Sequence, residues 1–181
     1  MDNEFKREII LENFQNPFNK DGNDNLGYIK TNSNNESCID NIDIYINIKD
    51  NIIKDIRFNG EACAISTAST SIMLKNIINK SVDDAIKYIN NFMNMVEEKK
   101  YNEEELKEGI AFDEIYKQQN RKTCVTLPYT GILKILNNYK NDWNISFFLN
   151  WNLNRTTRVR LFDIIKEPIP GKEAPIWIIN N

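Results

Sequence analysis

The chain has 181 residues, 41% of them hydrophobic and 27% charged, with a net charge of -3. This suits one soluble globular domain with room for an appendage. It argues against a general nucleic-acid binder, because neutralising phosphates needs a basic excess. No apolar run approaches the ~20 residues of a membrane span, and the N-terminus lacks the apolar core and cleavage site of a secretory signal. A cytoplasmic location is therefore expected.

In chain order, residues 4–15 read as a helix placing Phe5, Ile9 and Phe14 with neighbouring aliphatics near one face, stopped by Pro17. Residues 18–36 are rich in Asn, Asp, Gly and Ser and read as loop, with a short strand at Gly27–Lys30. From Ile42 to Ile48 isoleucine alternates with polar residues or Tyr, as in a half-buried strand. Lys49–Asp50–Asn51 provides a turn and Ile52–Phe58 the returning strand. Residues 64–79 become helical, and Ser81 is the expected N-cap of a further helix with Asp83 and Asp84 in its first turn. Residues 97–108 form a charged insertion, read as a solvated face or an acidic docking surface. A helical segment from about Ile110 to Gln118 then leads into RKTC, and another helix through GILKILNNY. The sum is an α+β fold, with a small antiparallel sheet of about three strands packed against several helices.

The expected boundary falls between a domain at 1–140 and a C-terminal extension at 141–181. The extension holds Trp143, Trp151, Trp177 and the basic Arg155, Arg158 and Arg160, and shows no strongly periodic helix. Its Phe147, Phe148 and Trp151 suit covering the domain, self-association or a partner. Met73, Met93 and Met95 read as packing residues.

Chemistry concentrates in three cysteines, Cys38, Cys63 and Cys124, an odd number that cannot close a disulfide framework. The chain contains no His, which removes imidazole-based catalysis and His-ligated zinc. Scattered cysteines are commonly buried small hydrophobes. Their surroundings suggest more. Cys38 sits in a polar loop two residues before Asp40. Cys63 stands at a strand-to-helix junction, where the helix dipole favours a thiolate, and Cys124 follows the cations Arg121 and Lys122. Three thiolates and a carboxylate from separate loops match what tetrahedral zinc accepts, so both readings stand on the residues alone.

Three motifs in order carry a resemblance. NESCID at 35–40 resembles the Asn-Pro-x-Cys-Gly-Asp motif of the SufU/IscU iron–sulfur cluster assembly family. GEACAIS at 60–66 resembles its Gly-x-Gly-Cys-Ala-Ile-Ser, and RKTCVTLPY at 121–129 its Arg-x-x-Cys-x-x-Leu. The opening REIILENFQNPFN is similar to the family's first helix, and the likeness covers about residues 5–138. Thr123 stands where IscU scaffolds carry a His before the last Cys, and the long step from Cys63 to Cys124 resembles the insertion of the SufU branch.

The resemblance implies zinc held by Cys38, Asp40, Cys63 and Cys124. It also implies docking on a pyridoxal-phosphate (PLP-dependent) cysteine desulfurase whose His displaces one thiolate, with Cys38 the persulfide acceptor and Arg121 activating the desulfurase. The expected function is a zinc-dependent sulfur acceptor, a sulfurtransferase in its chemistry. The alternatives are a scaffold for a [2Fe–2S] cluster and a non-catalytic zinc-stabilised module; a homodimer stays open. Ile39 and Glu36 replace the family's Gly and Pro, which bears on how the loop aims Asp40.

Overall fold

A computed structural model describes residues 1–22, 27–35 and 39–153, of which 142–153 only as helix backbone. The elements are α1 (Asn3–Gln15), β1 (Ile29–Asn34), β2 (Asn41–Lys49), β3 (Ile52–Glu61), α2 (Ala64–Ile77), α3 (Val82–Val96), the single turn α4 (Glu103–Leu106) and α5 (Gln119–Leu153). Two short 3-10 turns, Lys107–Phe112 and Ile115–Lys117, connect α4 to α5. The strands form an antiparallel sheet in the order β1-β2-β3. The fold is α+β, as expected.

The β2–β3 hairpin turns where it was expected. Asp50 and Asn51 both have positive φ, the conformation a tight hairpin of right-twisted strands requires and one that Asp and Asn tolerate. The register slips between Asn47 and Ile48, so that Lys54 has no partner on β2. This bulge matters for the core. Ile53 and Ile56 would otherwise face opposite sides of the sheet, and both are fully buried. β2 departs from strict alternation at Tyr45, which is buried. Segment 19–22 runs beside β3, with Gly22 donating to Phe58 O and Phe58 donating to Asn19 O, and Gly22 lies directly over the Tyr45 ring.

α2 is the central helix. Residues 66–74 are all buried, and its small side chains let neighbours approach on every side. A buried hydroxyl without a partner costs stability, and these three have one. Thr70 donates to Ser66 O, Ser69 to Val125 O and Ser71 to Asn13 Oδ1. α3 begins as expected, with Ser81 Oγ accepting from Asp84 N, and buries Val82, Ala85, Tyr88, Ile89, Phe92, Met95 and Val96. Phe92 stacks on Tyr129 of α5 with ring centroids 4.0 Å apart.

Four expectations need correction. In α1 the buried residue is Asn13, while Phe5 and Phe14 are 51% and 41% exposed. Nine residues at ~100° each place those two phenylalanines on opposite sides of a helix. Asn13 is buried because its amide donates to Ile9 O and Glu108 Oε2 and its oxygen accepts from Ser71. The short strand extends to Asn34 rather than stopping at Lys30. The charged insertion contributes Leu106 to the core, although Lys99, Lys100 and residues 101–104 are exposed. Finally, α5 starts before RKTC and continues unbroken to Leu153, so helix extends past residue 141, where no periodic pattern was visible. The sheet and all the helices up to Asp142 form one compact unit, Met1–Asp142.

Candidate metal centre

Asp40 lies immediately before β2, in the connection from β1. That connection is closed by Asn35 N donating to Asp40 O, and Asn34 pairs with Asn41 just beyond it. Cys63 is the N-cap of α2, directly after β3. Its Sγ accepts from Ser66 N at 3.4 Å, which puts the sulfur at the positive end of the helix. Gly60 makes the approach to that junction. Its φ is +117°, and a Cβ there would lie 2.1 Å from Asn41 O, so the position requires glycine. Cys124 lies within the opening turns of α5, not in the loop that its spacing suggested.

The fold brings these three together. One ligand atom from each of Asp40, Cys63 and Cys124 lies within 4.8 Å of the other two. Cys63 Sγ is 3.8 Å from Asp40 Oδ2, and the peptide N–H of Cys63 donates to Asp40 Oδ1 at 2.7 Å. Ser66 Oγ reaches Asp40 Oδ2 at 2.7 Å and Cys124 O at 3.0 Å. Asp40 is 1% exposed and Cys124 4%, whereas Cys63 is half-buried, so of the three it is Cys63 that reaches solvent.

Electrostatics separate the groups. Burial works against the Asp40 carboxylate, but the donors from Cys63 N–H, Ser66 and the two thiols outweigh it and hold its carboxyl below the ordinary range. The Cys124 thiol is pushed up to about 12, first by burial and then by the neighbouring Asp40 carboxylate and Cys63. This overturns the expectation that Arg121 and Lys122 would leave Cys124 a thiolate. Arg121 is exposed on the first turn of α5, and burial of the sulfur dominates. Burial without a compensating cation gives Cys124 every reason to keep its proton.

The donor set fits a divalent, thiophilic cation. Tetrahedral zinc with Zn–S near 2.3 Å and Zn–O near 2.0–2.2 Å sets its ligands roughly 3.5–3.8 Å apart. The 3.8 Å between Cys63 Sγ and Asp40 Oδ2 is already at that spacing. Three protein donors leave one position of a tetrahedron to fill. Cys38 lies outside the described residues. Ile39 beside it is 70% exposed, while Asp40 is buried and directed at Cys63. Sequence reasoning missed Ser66, which touches two members of the cluster. Its signal was its place three residues after the N-capping Cys63, in a run of small residues that a close-packed helix needs.

Residues 5–125 match the NifU-like N terminal domain family. A zinc-dependent sulfurtransferase, SufU, of Bacillus subtilis strain 168 is 32% identical over 130 residues, covering 71% of this chain and 86% of that protein. An iron–sulfur cluster assembly scaffold protein, IscU, of Thermotoga maritima is 31% identical over 102 residues, or 56% of this chain and 72% of that one. Among solved structures, a Fervidobacterium islandicum AW-1 protein assigned as an iron–sulfur cluster assembly scaffold for the SUF system superposes with a TM-score of 0.64. It is 30% identical, covering 71% of this chain and 93% of that one. With the family match spanning about two thirds of its residues, and these relatives alike in sequence and fold, the chain belongs to the NifU-like N-terminal domain family, within its SufU/IscU group.

Proposed function

We propose that this chain is a zinc-dependent sulfur acceptor that takes persulfide sulfur from a PLP-dependent cysteine desulfurase for iron–sulfur cluster assembly. The observation that carries the reading is the convergence of Asp40, Cys63 and Cys124 at one half-open point. Support comes from the relative named a zinc-dependent sulfurtransferase, which this chain matches over most of its length. Residues 1–140 carry the activity in this reading, and the protein works in the cytoplasm.

Cys38 supplies the fourth ligand and is the sulfur acceptor. It lies two residues before Asp40, within about 7 Å of chain. A bound zinc ion would keep the thiols of its ligands deprotonated at neutral pH. The protein's own residues do the rest. Asp40 is fixed by Cys63 N–H and Ser66, and Cys124 is withheld from solvent, so in this reading neither of them is the ligand that leaves, and that part falls to Cys38. The freed Cys38 thiolate attacks the outer sulfur of the desulfurase persulfide. A Cys38–sulfur bond forms, the sulfur–sulfur bond of the enzyme breaks, and its cysteine departs as a thiolate. This chain has no His, so an imidazole able to take the place of Cys38 on a bound zinc would have to come from the partner. Arg121, exposed one turn before Cys124, faces outward to meet that partner.

Replacing Cys38 with Ala tests this. The variant is expected to lose stimulation of a SufS-like cysteine desulfurase while keeping the unfolding midpoint of the metal-free protein. Undiminished stimulation would refute the acceptor role. The relatives named IscU scaffolds favour a second reading, in which the same thiolates hold a [2Fe–2S] cluster. Elemental analysis of anaerobically purified protein separates the two: colourless protein with one zinc per chain, or brown protein with iron and sulfide.

A further inference from the structure

We propose that Ser66 and Pro128 together form the hinge pin that positions Cys124 in the metal centre. Cys124 lies inside α5, and Pro128 is four residues further along the same helix. In a regular α-helix the N–H of residue 128 would bond the carbonyl of residue 124. Proline has no N–H, and its ring crowds the carbonyl four residues back. The Cys124 carbonyl, fully inside the protein, therefore needs another donor. Ser66 of α2 supplies it, with Oγ 3.0 Å from Cys124 O. One residue on, Ser69 Oγ donates to Val125 O at 2.7 Å. Two serines one turn apart on α2 thus grip two consecutive carbonyls of α5 at the point where proline loosens the helix.

Ser66 is also tied to the rest of the centre. Its Oγ is 2.7 Å from Asp40 Oδ2 and 3.6 Å from Cys63 Sγ, and its N–H donates to the capping Cys63 Sγ. One side chain, wholly buried, therefore contacts all three residues of the cluster. The hydroxyl shares its single proton between two oxygens, Asp40 Oδ2 at 2.7 Å and Cys124 O at 3.0 Å, and so ties the two chain segments to one point. Ser66 is a positioning residue: it holds Cys124 against Asp40 and Cys63 and binds no metal itself. Pro128 is the reason that the helix carbonyl is available to it. Outer contacts of this kind commonly set metal affinity by about 10–100-fold.

The inference rests on the reading of the cluster as a zinc site. The experiment is zinc affinity of the reduced, metal-stripped full chain, measured by competition with a chromogenic chelator and paired with urea unfolding of the metal-free protein. Ser66→Ala is expected to weaken zinc binding by about tenfold or more. Pro128→Ala restores the 128 N–H, which competes with Ser66 for the Cys124 carbonyl. It should weaken zinc binding severalfold while leaving the metal-free protein at least as resistant to urea, since proline is costly inside a helix. The double variant should bind zinc no more weakly than Ser66→Ala alone, because both changes break one link.

A merely structural role for these residues predicts the opposite for proline, namely gained stability with unchanged affinity. That outcome would overturn the inference, as would strictly additive losses or Ser66→Ala binding zinc like the wild type. Should Ser66→Ala fail to fold, Pro128→Ala decides alone. A wild-type chain that binds no zinc would instead overturn the zinc reading itself, and this inference with it.

Discussion

Asp40 and Asp55 are both carboxylates held below their ordinary range, yet they differ in what removing them should do. Asp40 is buried and accepts from Cys63 N–H and Ser66 Oγ, so Asp40→Ala strands the Cys63 N–H and leaves Ser66 Oγ with Cys124 O alone. The expected cost is about 1–3 kcal/mol in urea unfolding, with loss of zinc uptake. Asp40→Asn keeps an acceptor for Cys63 N–H and is expected to cost less stability while still weakening zinc binding. Asp55 sits near the surface. Burial pushes its carboxyl up, but Arg57 Nε at 2.6 Å and the Tyr28 hydroxyl push it further down, below its ordinary 3.8. A depressed folded value means that the stabilisation is present above about pH 4 and is lost as the pH falls through the lowered value. Asp55→Asn is therefore expected to lower stability at pH 7 by about 0.5–1 kcal/mol, with the gap from wild type closing as the pH falls through the lowered value. A gap that persists in acid would show that the pair's geometry, not its charge, is what matters.

At the scale of elements, β1 and α5 approach each other closely. A Cβ on Gly131 would lie 2.1 Å from Ser33 Oγ, so the buried Ser33 side chain or the helix would have to shift. The Ser33 hydroxyl is buried there without a hydrogen-bond partner. Gly131→Ala should therefore destabilise by about 1–3 kcal/mol, as overpacking does. Ser33→Ala removes both the clashing atom and an unsatisfied group, so it should be neutral or stabilising alone and should rescue Gly131→Ala. Thermal unfolding of the two single variants and the double variant checks this; additive losses would mean that α5 meets some other obstacle. Helix α5 matters to the metal centre for the same reason. It carries Cys124 at one point and is fixed against β1 at another.

For the molecule as a whole, the sheet, the helices up to Asp142 and the three clustered residues belong to Met1–Asp142. A chain ending at Asp142 is expected to keep the far-UV dichroism of a folded α+β protein and to take up zinc with affinity within a few-fold of the full chain. Failure to fold would assign residues 143–181 a structural role. Among the described residues, no helix is long and apolar enough to cross a membrane. Phe147, Phe148 and the three tryptophans of the C-terminal segment lie outside the described side chains, as do Arg155, Arg158 and Arg160.

What was legible in the sequence was whatever local chemistry dictates. The alternating isoleucines of β2, the Asp50–Asn51 turn, the Ser81 cap and the stop before Pro17 each follow from short-range sterics and hydrogen bonding, and each is present. The three motifs around Cys38, Cys63 and Cys124 identified the family without any coordinates. Distances across the fold are a different matter, because they depend on how elements pack. The bulge that turns Ile53 and Ile56 to one side and the burial of Asn13 over Phe5 arise from contacts between residues far apart in the chain. The same is true of the Cys124 proton, since burial by distant residues overrides the cations beside it in sequence. Ser66 is the clearest instance. Its place in a motif was plain, but its link to Asp40 and Cys124 exists only because α2 and α5 cross where proline leaves a carbonyl unpaired.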